Sequence, residues 1–476
     1  MTRLFLVLAA LLLATATPAA AAAPPPDVDG YVRAHLDHTG LPGAAVAVTR
    51  GGDVVRVAGY GHDAAGAPVT AATRLPIASV SKSMTAFAVL RLAEAGRVGL
   101  DEPVTRYLPD FRLADPRGTR ITVRMLLDQT SGMADSAFPD LKLAQPHTLA
   151  EAVTRLRDAP LAGEPGAEFH YHNPNYEVAA RIVEVVAGQP FAEYLRTGVF
   201  GPLGMTASTT VDAPPAGTTG YVRAFGIEVP VSEPDWFTGG SHGVLTTAAD
   251  LARWLIAQRD GGGVVSPASA ALAHTPAPGR DYALGWAVRD GRVSHTGDWF
   301  SHTAAQVLLP GGYGIAVVAN AGMAVDNEAE LLAQGLASLL SGGSPEVSLP
   351  AGVLADRVLG AVALLAVGLA VAGVRRARRK PRWWRVAPPL LPLVLLAFLP
   401  RLLGVVFAGR QGTFAQVLYV WPGLVIALGV IAAAGVAVAV ARVSALVSGT
   451  RARNQEESGE TRGEHRWASA NRPSAS

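Results

Sequence analysis

Beyond residue 357 the sequence changes character. Val358–Val374 is an unbroken apolar run, and further apolar stretches follow at Val386–Phe407 and Val417–Ala441. Each is long enough to cross a bilayer as a helix, which confines this part of the chain (residues 358–441) to about three transmembrane helices. Arg375, Arg376, Arg378, Arg379, Lys380, Arg382 and Arg385 crowd the first connection, whereas residues 408–415 carry only Arg410. Positive charge stays on the cytoplasmic side. The first span therefore ends inside, the second returns and the third runs back in, and Arg442, Arg451 and Arg453 agree with that order. Pro388, Pro389, Pro392 and Pro400 strain the second span as a helix. Arg401 shortens its apolar length and is expected to snorkel to the outer surface. If this span did not cross, the tail would emerge outside.

The other end reads as a secretory signal peptide over residues 1–23: a short basic start at Met1–Arg3, an apolar run Leu4–Leu13 and small residues at Ala19–Ala23. Residues 24–345 are expected to fold in water, 346–357 to be a linker, and 442–476 a disordered cytoplasmic tail. A net charge of +2 does not suggest nucleic acid as a partner, and the absence of cysteine removes disulfides, thiolate metal sites and a cysteine nucleophile. Of 40 basic residues only Lys82, Lys142 and Lys380 are lysines, the pattern of a high-G+C bacterium.

Within the folded part, Val28–His38 has the spacing of an amphipathic helix. Ala44–Thr49 and Val54–Ala58 flank Gly51-Gly52-Asp53 as a hairpin. A mostly helical, loop-rich region follows from Leu100 to about Gln258, with helical patterns at Ile121–Leu127 and Tyr176–Ala187 and with Asp250 capping or opening a helix. Strands return at Leu284–Val288, Val293–His295, Ala304–Leu309 and Ile315–Asn320, and a helix over Glu328–Leu340 closes the domain. Strands at both ends with helices between predict one sheet built from the two ends of the segment.

The stretch Ile77-Ala-Ser-Val-Ser-Lys-Ser-Met84 carries the chemistry. Met84, Phe87, Ala88 and Leu92 recur at helical spacing, and Gly96 is placed as a stop. Ser79 and Lys82 then lie one turn apart on one side, the S-x-x-K arrangement for acyl transfer. A lysine base near neutrality needs its pKa lowered by roughly 3 units, ~4 kcal/mol, most of which burial must supply. The bland alternative is an N-capping serine beside a solvated lysine. A lysine kept here, where arginine is otherwise used, favours the chemical reading, because only lysine deprotonates at usable pH.

Two further pieces add to it. Tyr171-x-Asn173 puts a phenol and an amide on one side of an extended loop. His295-Thr296-Gly297 ends a predicted strand, with an imidazole or hydroxyl for a substrate carboxylate and a glycine for close backbone approach. In this order the three pieces resemble the serine β-lactamase-like superfamily, which includes class C β-lactamases, D-Ala-D-Ala carboxypeptidases and related esterases. Leu126-Leu-Asp-Gln-Thr-Ser-Gly132, Phe200-Gly-Pro-Leu-Gly-Met205 and Gly243–Leu251 strengthen the likeness.

The resemblance implies an α+β, transpeptidase-like fold: an antiparallel sheet flanked by helices, with a mostly helical subdomain. It implies Ser79 as acyl nucleophile, Lys82 and Tyr171 as shared general base, and an oxyanion hole from the backbone N–H groups of Ser79 and Asp298. Asn173, His295, Thr296 and Gly297 would bind substrate, whether wall peptide, β-lactam or small ester, with no cofactor and no metal. His295 stands where many relatives have lysine, and Asp298-Trp-Phe-Ser-His302 replaces their Gly- and Pro-containing turn, so the pocket lip differs. A non-catalytic wall-binding or regulatory protein using the same cleft is the alternative of a different class. Gly239-Gly-Ser-His-Gly243 also matches a nucleophile elbow, and His170-x-His172 starts a metal motif without an evident third ligand. The topology is checked by a reporter fused after Ser476: green fluorescence and no alkaline phosphatase activity are expected, and phosphatase activity would overturn the three-span order.

Overall fold

The computed structural model describes residues 27–322, 325–377, 382–406 and 412–470. The expected signal peptide, and Arg378, Arg379, Lys380 and Arg410 of the charge argument, lie outside them. Helix α1 (Val28–Thr39) leads into the hairpin β1 (Gly43–Arg50) and β2 (Asp53–Gly61). After the short β3 (Leu75–Pro76), a 3₁₀ turn at Ala78–Val80 opens α2 (Ser81–Glu94). The helical region contributes α3 (Val123–Leu127), α4 (Leu149–Thr154), α5 (Pro174–Ala187) and α6 (Phe191–Leu195). Strands β4 (Thr209–Thr210), β5 (Thr219–Ala224), β6 (Ile227–Ser232) and β7 (Val244–Thr246) precede α7 (Ala248–Ala257) and α8 (Pro267–Ala273). The chain then lays down β8 (Ala287–Arg289), β9 (Arg292–Asp298), β10 (Thr303–Leu308), β11 (Tyr313–Ala319) and β12 (Ala321–Gly322), and α9 (Glu328–Leu340) closes it.

The main sheet has the order β2-β1-β11-β10-β9-β8, antiparallel throughout. The N-terminal hairpin joins the C-terminal strands through β1 and β11, in register from Ala44↔Ala319 to Arg50↔Tyr313. This is the sheet expected from the two ends of the segment. Alternation splits its buried residues between two layers. Val46, Val48, Val307, Ile315 and Val317 face α1 and α9. Ala45, Ala47, Ala304, Ala316 and Val318 belong to the larger core around α2, α5 and α7. There Phe87 meets Trp254 edge-on, ring centroids 5.0 Å apart. A buried amide between sheet and helix is satisfied at both ends: Trp254 Nε1 donates to Gln306 Oε1 at 3.0 Å, and Gln306 Nε2 donates to Ser83 Oγ at 3.0 Å.

Several expectations are corrected. The region read as helical also holds β4 and β7, which form a small sheet with β3, and the hairpin β5–β6, which pairs with β12. Strands of two or three residues are too short to show alternation, and the hairpin turns through Phe225 and Gly226, both at positive φ; phenylalanine is not a turn signal there. Leu284 and Gly285 stay out of β8, because Gly285 (φ +82°) passes so close to α2 that a Cβ would stand 2.9 Å from the Lys82 carbonyl. Helix α7 is capped by Thr247, whose Oγ1 accepts from Asp250 N at 3.2 Å. Asp250 instead accepts from Ala207 N at 2.9 Å and Ser208 Oγ at 2.8 Å, tying α7 to the segment before β4.

Four helices complete the described chain: α10 (Ala351–Ala377), α11 (Leu391–Val406), α12 (Phe414–Val420) and α13 (Pro422–Ala470). Three stretches, Ala351–Ala377, Trp383–Val405 and Pro422–Gln455, are long and apolar enough to cross a membrane. Helix α10 begins inside the expected linker. The third apolar run is broken at Trp421 (φ −140°), because Pro422 excludes the residue before it from helical geometry. The segment expected to be disordered after residue 442 continues α13 to Ala470; a helix already nucleated extends through Arg, Glu and Ala without a new nucleus. Replacing Thr247 by Ala is expected to cost ~1 kcal/mol. Asp250→Ala strands two donors and should cost more, ~1–3 kcal/mol. Denaturant unfolding of the full chain followed by circular dichroism measures both, and the reverse order would return the capping role to Asp250.

Candidate active site

The turn that presents Ser79 is strained. Ala78 sits at φ +47°, a region a Cβ-bearing residue seldom enters. Ile77 N donates to Val244 O at 3.0 Å, which anchors the turn to β7. Neither the 3₁₀ turn nor α2 has a side-chain N-cap, so Ser79 is not a capping serine. Its side chain is half-buried, with its Oγ 2.9 Å from Lys82 Nζ.

Lys82 is fully buried, so it is not a solvated lysine either. Its ammonium donates to Ser79 Oγ, to Asn173 Oδ1 at 2.9 Å and to Ser241 O at 3.0 Å. Three acceptors match its three protons. The Tyr171 ring centre stands 4.9 Å from the same nitrogen. Asn173 precedes Pro174, the first residue of α5. The Tyr171–Asn173 loop is held from behind: Gln129 Oε1 accepts from His172 N at 3.0 Å and Asn175 Nδ2 at 2.5 Å, and Ser131 Oγ donates to Asn175 Oδ1 at 2.6 Å. Asn173, expected to hold a substrate amide carbonyl, thus turns its own side-chain oxygen to the lysine.

The other wall is β9. A Cβ on Gly297 would stand 2.9 Å from Ser79 N and would overlap Ile77 O, so only glycine allows the strand this close. Strand β8 pairs only as far as Ser294, which leaves the His295–Asp298 edge without a β8 partner. His295 and Gly297 face Ser79, while Thr296 and Asp298 look to the α9 side, as their partners in β10 require. Asn327, the cap of α9, donates to Gly297 O at 3.0 Å and to Asp298 Oδ1 at 2.9 Å.

His295 departs from expectation. Its Nδ1 lies 2.6 Å from Thr296 O and its Nε2 2.9 Å from the Tyr282 hydroxyl. Burial, and then the charge of Lys82, hold its pKa down to about 3. The ring is neutral at physiological pH, Nδ1–H donating and Nε2 accepting, and cannot act as a cationic anchor for a carboxylate. Burial likewise pushes the Glu177 carboxyl, one turn along α5 from Asn173, up to about 8.

The elbow motif dissolves. Ser241 is fully buried, no strand directly precedes Gly239, and its hydroxyl meets His242 Nδ1. The loop instead closes over α2, with Lys82 and Thr85 donating to the carbonyls of Ser241 and Gly240. His170 pairs with Glu168 at 3.5 Å, away from its motif partner. His172 Nδ1 lies 2.7 Å from Asp135, and these two with Asp140 keep ligand-type atoms within 4.8 Å of one another. Sequence reasoning missed Tyr282, the Ser241 carbonyl and Glu233. The last accepts from Phe300 N at 2.8 Å and Ser301 N at 3.0 Å and so shapes the lip. No local pattern marks such partners.

A family profile, Beta-lactamase, matches residues 28–337. The chain belongs to this family. It is 31% identical over 343 residues to Penicillin-binding protein 4 of Amycolatopsis lactamdurans, covering 65% of this chain and 89% of that protein. It is 28% identical over 312 residues to Protein flp of Staphylococcus aureus strain N315, covering 62% of each. The match therefore spans under two thirds of the length of that relative. The octameric penicillin-binding protein homologue from Pyrococcus abyssi superposes with a TM-score of 0.58 at 26% identity, over 70% of this chain and 80% of that one. The D-alanine carboxypeptidase AmpC from Burkholderia cenocepacia shares the fold, with a TM-score of 0.53 at 22% identity over 66% and 97%. Fold and family make this β-lactamase-family chain a serine-hydrolase-type or penicillin-binding-like protein.

Because His295 is deprotonated in the fold and protonates near 6.5 when unfolded, the unfolded chain binds the extra proton between those values. Stability therefore rises with pH through that window and falls on acidification, by up to ~1.4 kcal/mol per pH unit for one such group. The His295 ring resonances should stay flat from pH 5 to 8 in NMR. A titration near 6.5 would restore a cationic anchor.

Proposed function

We propose that the protein is a membrane-anchored serine hydrolase working outside the cell through an acyl-enzyme on ester or amide bonds. One observation carries this reading: a half-exposed Ser79 hydroxyl lies 2.9 Å from a fully buried Lys82 ammonium. Lys82 first gives up one of its three protons; as the neutral amine, with Tyr171 beside it, it takes the Ser79 proton as Oγ attacks the substrate carbonyl carbon. The backbone N–H groups of Ser79 and Asp298 hold the developing oxyanion, within the space Gly297 leaves free. The carbonyl–leaving-group bond breaks, the leaving group takes the proton, and water later releases the acyl group. As a first-turn residue, Ser79 has an N–H without an intrahelical acceptor. The β9 edge beyond Ser294 offers an extended acyl group a strand to lie against.

Neutral His295 removes one expected carboxylate anchor. The reading therefore favours neutral esters or amides over β-lactams and wall peptides ending in a carboxylate. The anchoring rests on the three apolar stretches and on where the folded domain touches them. It meets Gly352 and Asp356 near the start of α10, Gln416 of α12, and Tyr419 at the end of α12. With Leu403 near the end of α11 lining a shared cavity, all contacts fall at one end of the bundle, as alternating crossings would produce.

A fluorophosphonate or fluorescent penicillin should label the full chain covalently. Ser79→Ala should abolish the label and Ser241→Ala should not; Lys82→Ala should lower ester kcat/KM by ~10²–10⁴. A label that survives Ser79→Ala would sink the assignment. No label together with no turnover of p-nitrophenyl esters or a D-Ala-D-Ala peptide would leave a binding protein instead.

A further inference from the structure

Where the catalytic lip meets the membrane-type helices lies a cavity of about 370 Å³. Trp236, Trp299 and Phe300 wall it on the domain side, and Leu403, Val417 and Val420 on the helix side. Thr296 and Asp298, on either side of the Gly297 that abuts Ser79, line it as well. It thus lies on the face of β9 turned away from Ser79, with the strand between them. Trp236 meets Phe300 edge-on at 5.2 Å and Phe300 meets Tyr419 at 6.0 Å, so aromatic rings run unbroken from the domain to α12.

Its height relative to a bilayer follows from the contacts around it. Gly352 N donates to Asp326 Oδ2 at 2.5 Å, Gly226 N to Asp356 Oδ2 at 3.0 Å and Gln416 Nε2 to Leu141 O at 2.9 Å. The Phe225 ring at the β5–β6 turn lies against Gly360, more than two turns into α10. Beside it Ile227 is 67% exposed, an apolar side chain facing outward at the level where the first span begins. Trp421 and Tyr419 stand at the same end, as aromatic side chains do at a membrane surface. Asp298, Asp326, Asn327, Glu330 and Gln416 line the cavity as well, so it joins an apolar wall to a polar one, as an amphipathic molecule drawn from the bilayer would require.

We propose that this cavity binds the hydrocarbon part of a membrane-resident amphipathic ester or amide, whose polar carbonyl end passes round the Trp299–Phe300 lip, which packs with Ala78, to reach Ser79. The proposal rests on the serine-hydrolase reading for its chemistry, though not for its binding. Lengthening the apolar chain should raise kcat/KM by up to ~4-fold per methylene buried until the cavity is full.

The test uses the full chain in lipid nanodiscs. For wild type, kcat/KM for p-nitrophenyl esters should climb at least tenfold from acetate to decanoate. Val420→Phe and Val417→Phe, which fill the chamber, should remove that gain and leave acetate turnover and fluorophosphonate labelling unchanged. Binding is read separately in Ser79→Ala with a dodecanoate ester carrying a terminal diazirine. Cross-links should map to Trp299–Phe300 and Val417–Val420, be competed by dodecanoate but not acetate ester, and fall at least fivefold when Val420→Phe is added. Cross-links confined to the lipid-facing sides of the spans, or unchanged by the filling substitutions, would overturn the cavity. Loss of fluorophosphonate labelling in wild type would overturn the hydrolase reading alone, with the cross-links still deciding the cavity.

Discussion

The structure turns on a buried ammonium. Lys82 is sealed from water, and an unpaired charge there would cost far more than a domain can spare. It is tolerated because three acceptors converge on it, two of them from remote segments: Ser79 from its own turn, Asn173 from the start of α5 and Ser241 from the loop before β7. Helix α2 also pins that loop through Ser81 and Thr85. Loop, helix and turn therefore assemble as one unit, and the half-exposed hydroxyl is the only one of the three acceptors that a ligand can reach.

The opposing wall is set by close approach rather than charge. Gly297 lets β9 come within van der Waals reach of the Ser79 turn, and Gly285 lets the chain before β8 pass over the Lys82 carbonyl. The same crowding explains His295. Packed against Tyr282 and sharing a site with Lys82, it cannot also carry a proton. One cation in this pocket excludes a second, which shifts the expected substrate toward groups without a carboxylate.

The lip and the membrane-type helices extend this logic outward. Glu233 fixes Phe300 and Ser301, Trp299 Nε1 donates to His242 O at 2.9 Å, and the resulting aromatic face meets α12. A chain of packed side chains thus runs from the carbonyl loop under Lys82 to the ends of the apolar helices. The pocket lip is built on that junction.

Much of this was legible in the sequence. The apolar runs past residue 357, the 3.6-residue spacing after Ser79 and the strand pairs at both ends depend on local periodicity, and all appear as helices and strands close to where expected. The Ser79–Lys82 pairing follows from one helical turn. What the sequence could not decide were contacts between remote segments. The Ser241 carbonyl on Lys82, the Tyr282 hydroxyl on His295 and the Asp250 carboxylate on Ala207 depend on which segments tertiary packing brings together. The neutral state of His295 was hidden for the same reason: an imidazole's charge is set by burial and by neighbours, and neither is a property of its place in the chain. Sequence fixed which groups are present and which sit one turn apart; only the folded structure decided which are buried together, and burial sets their charge.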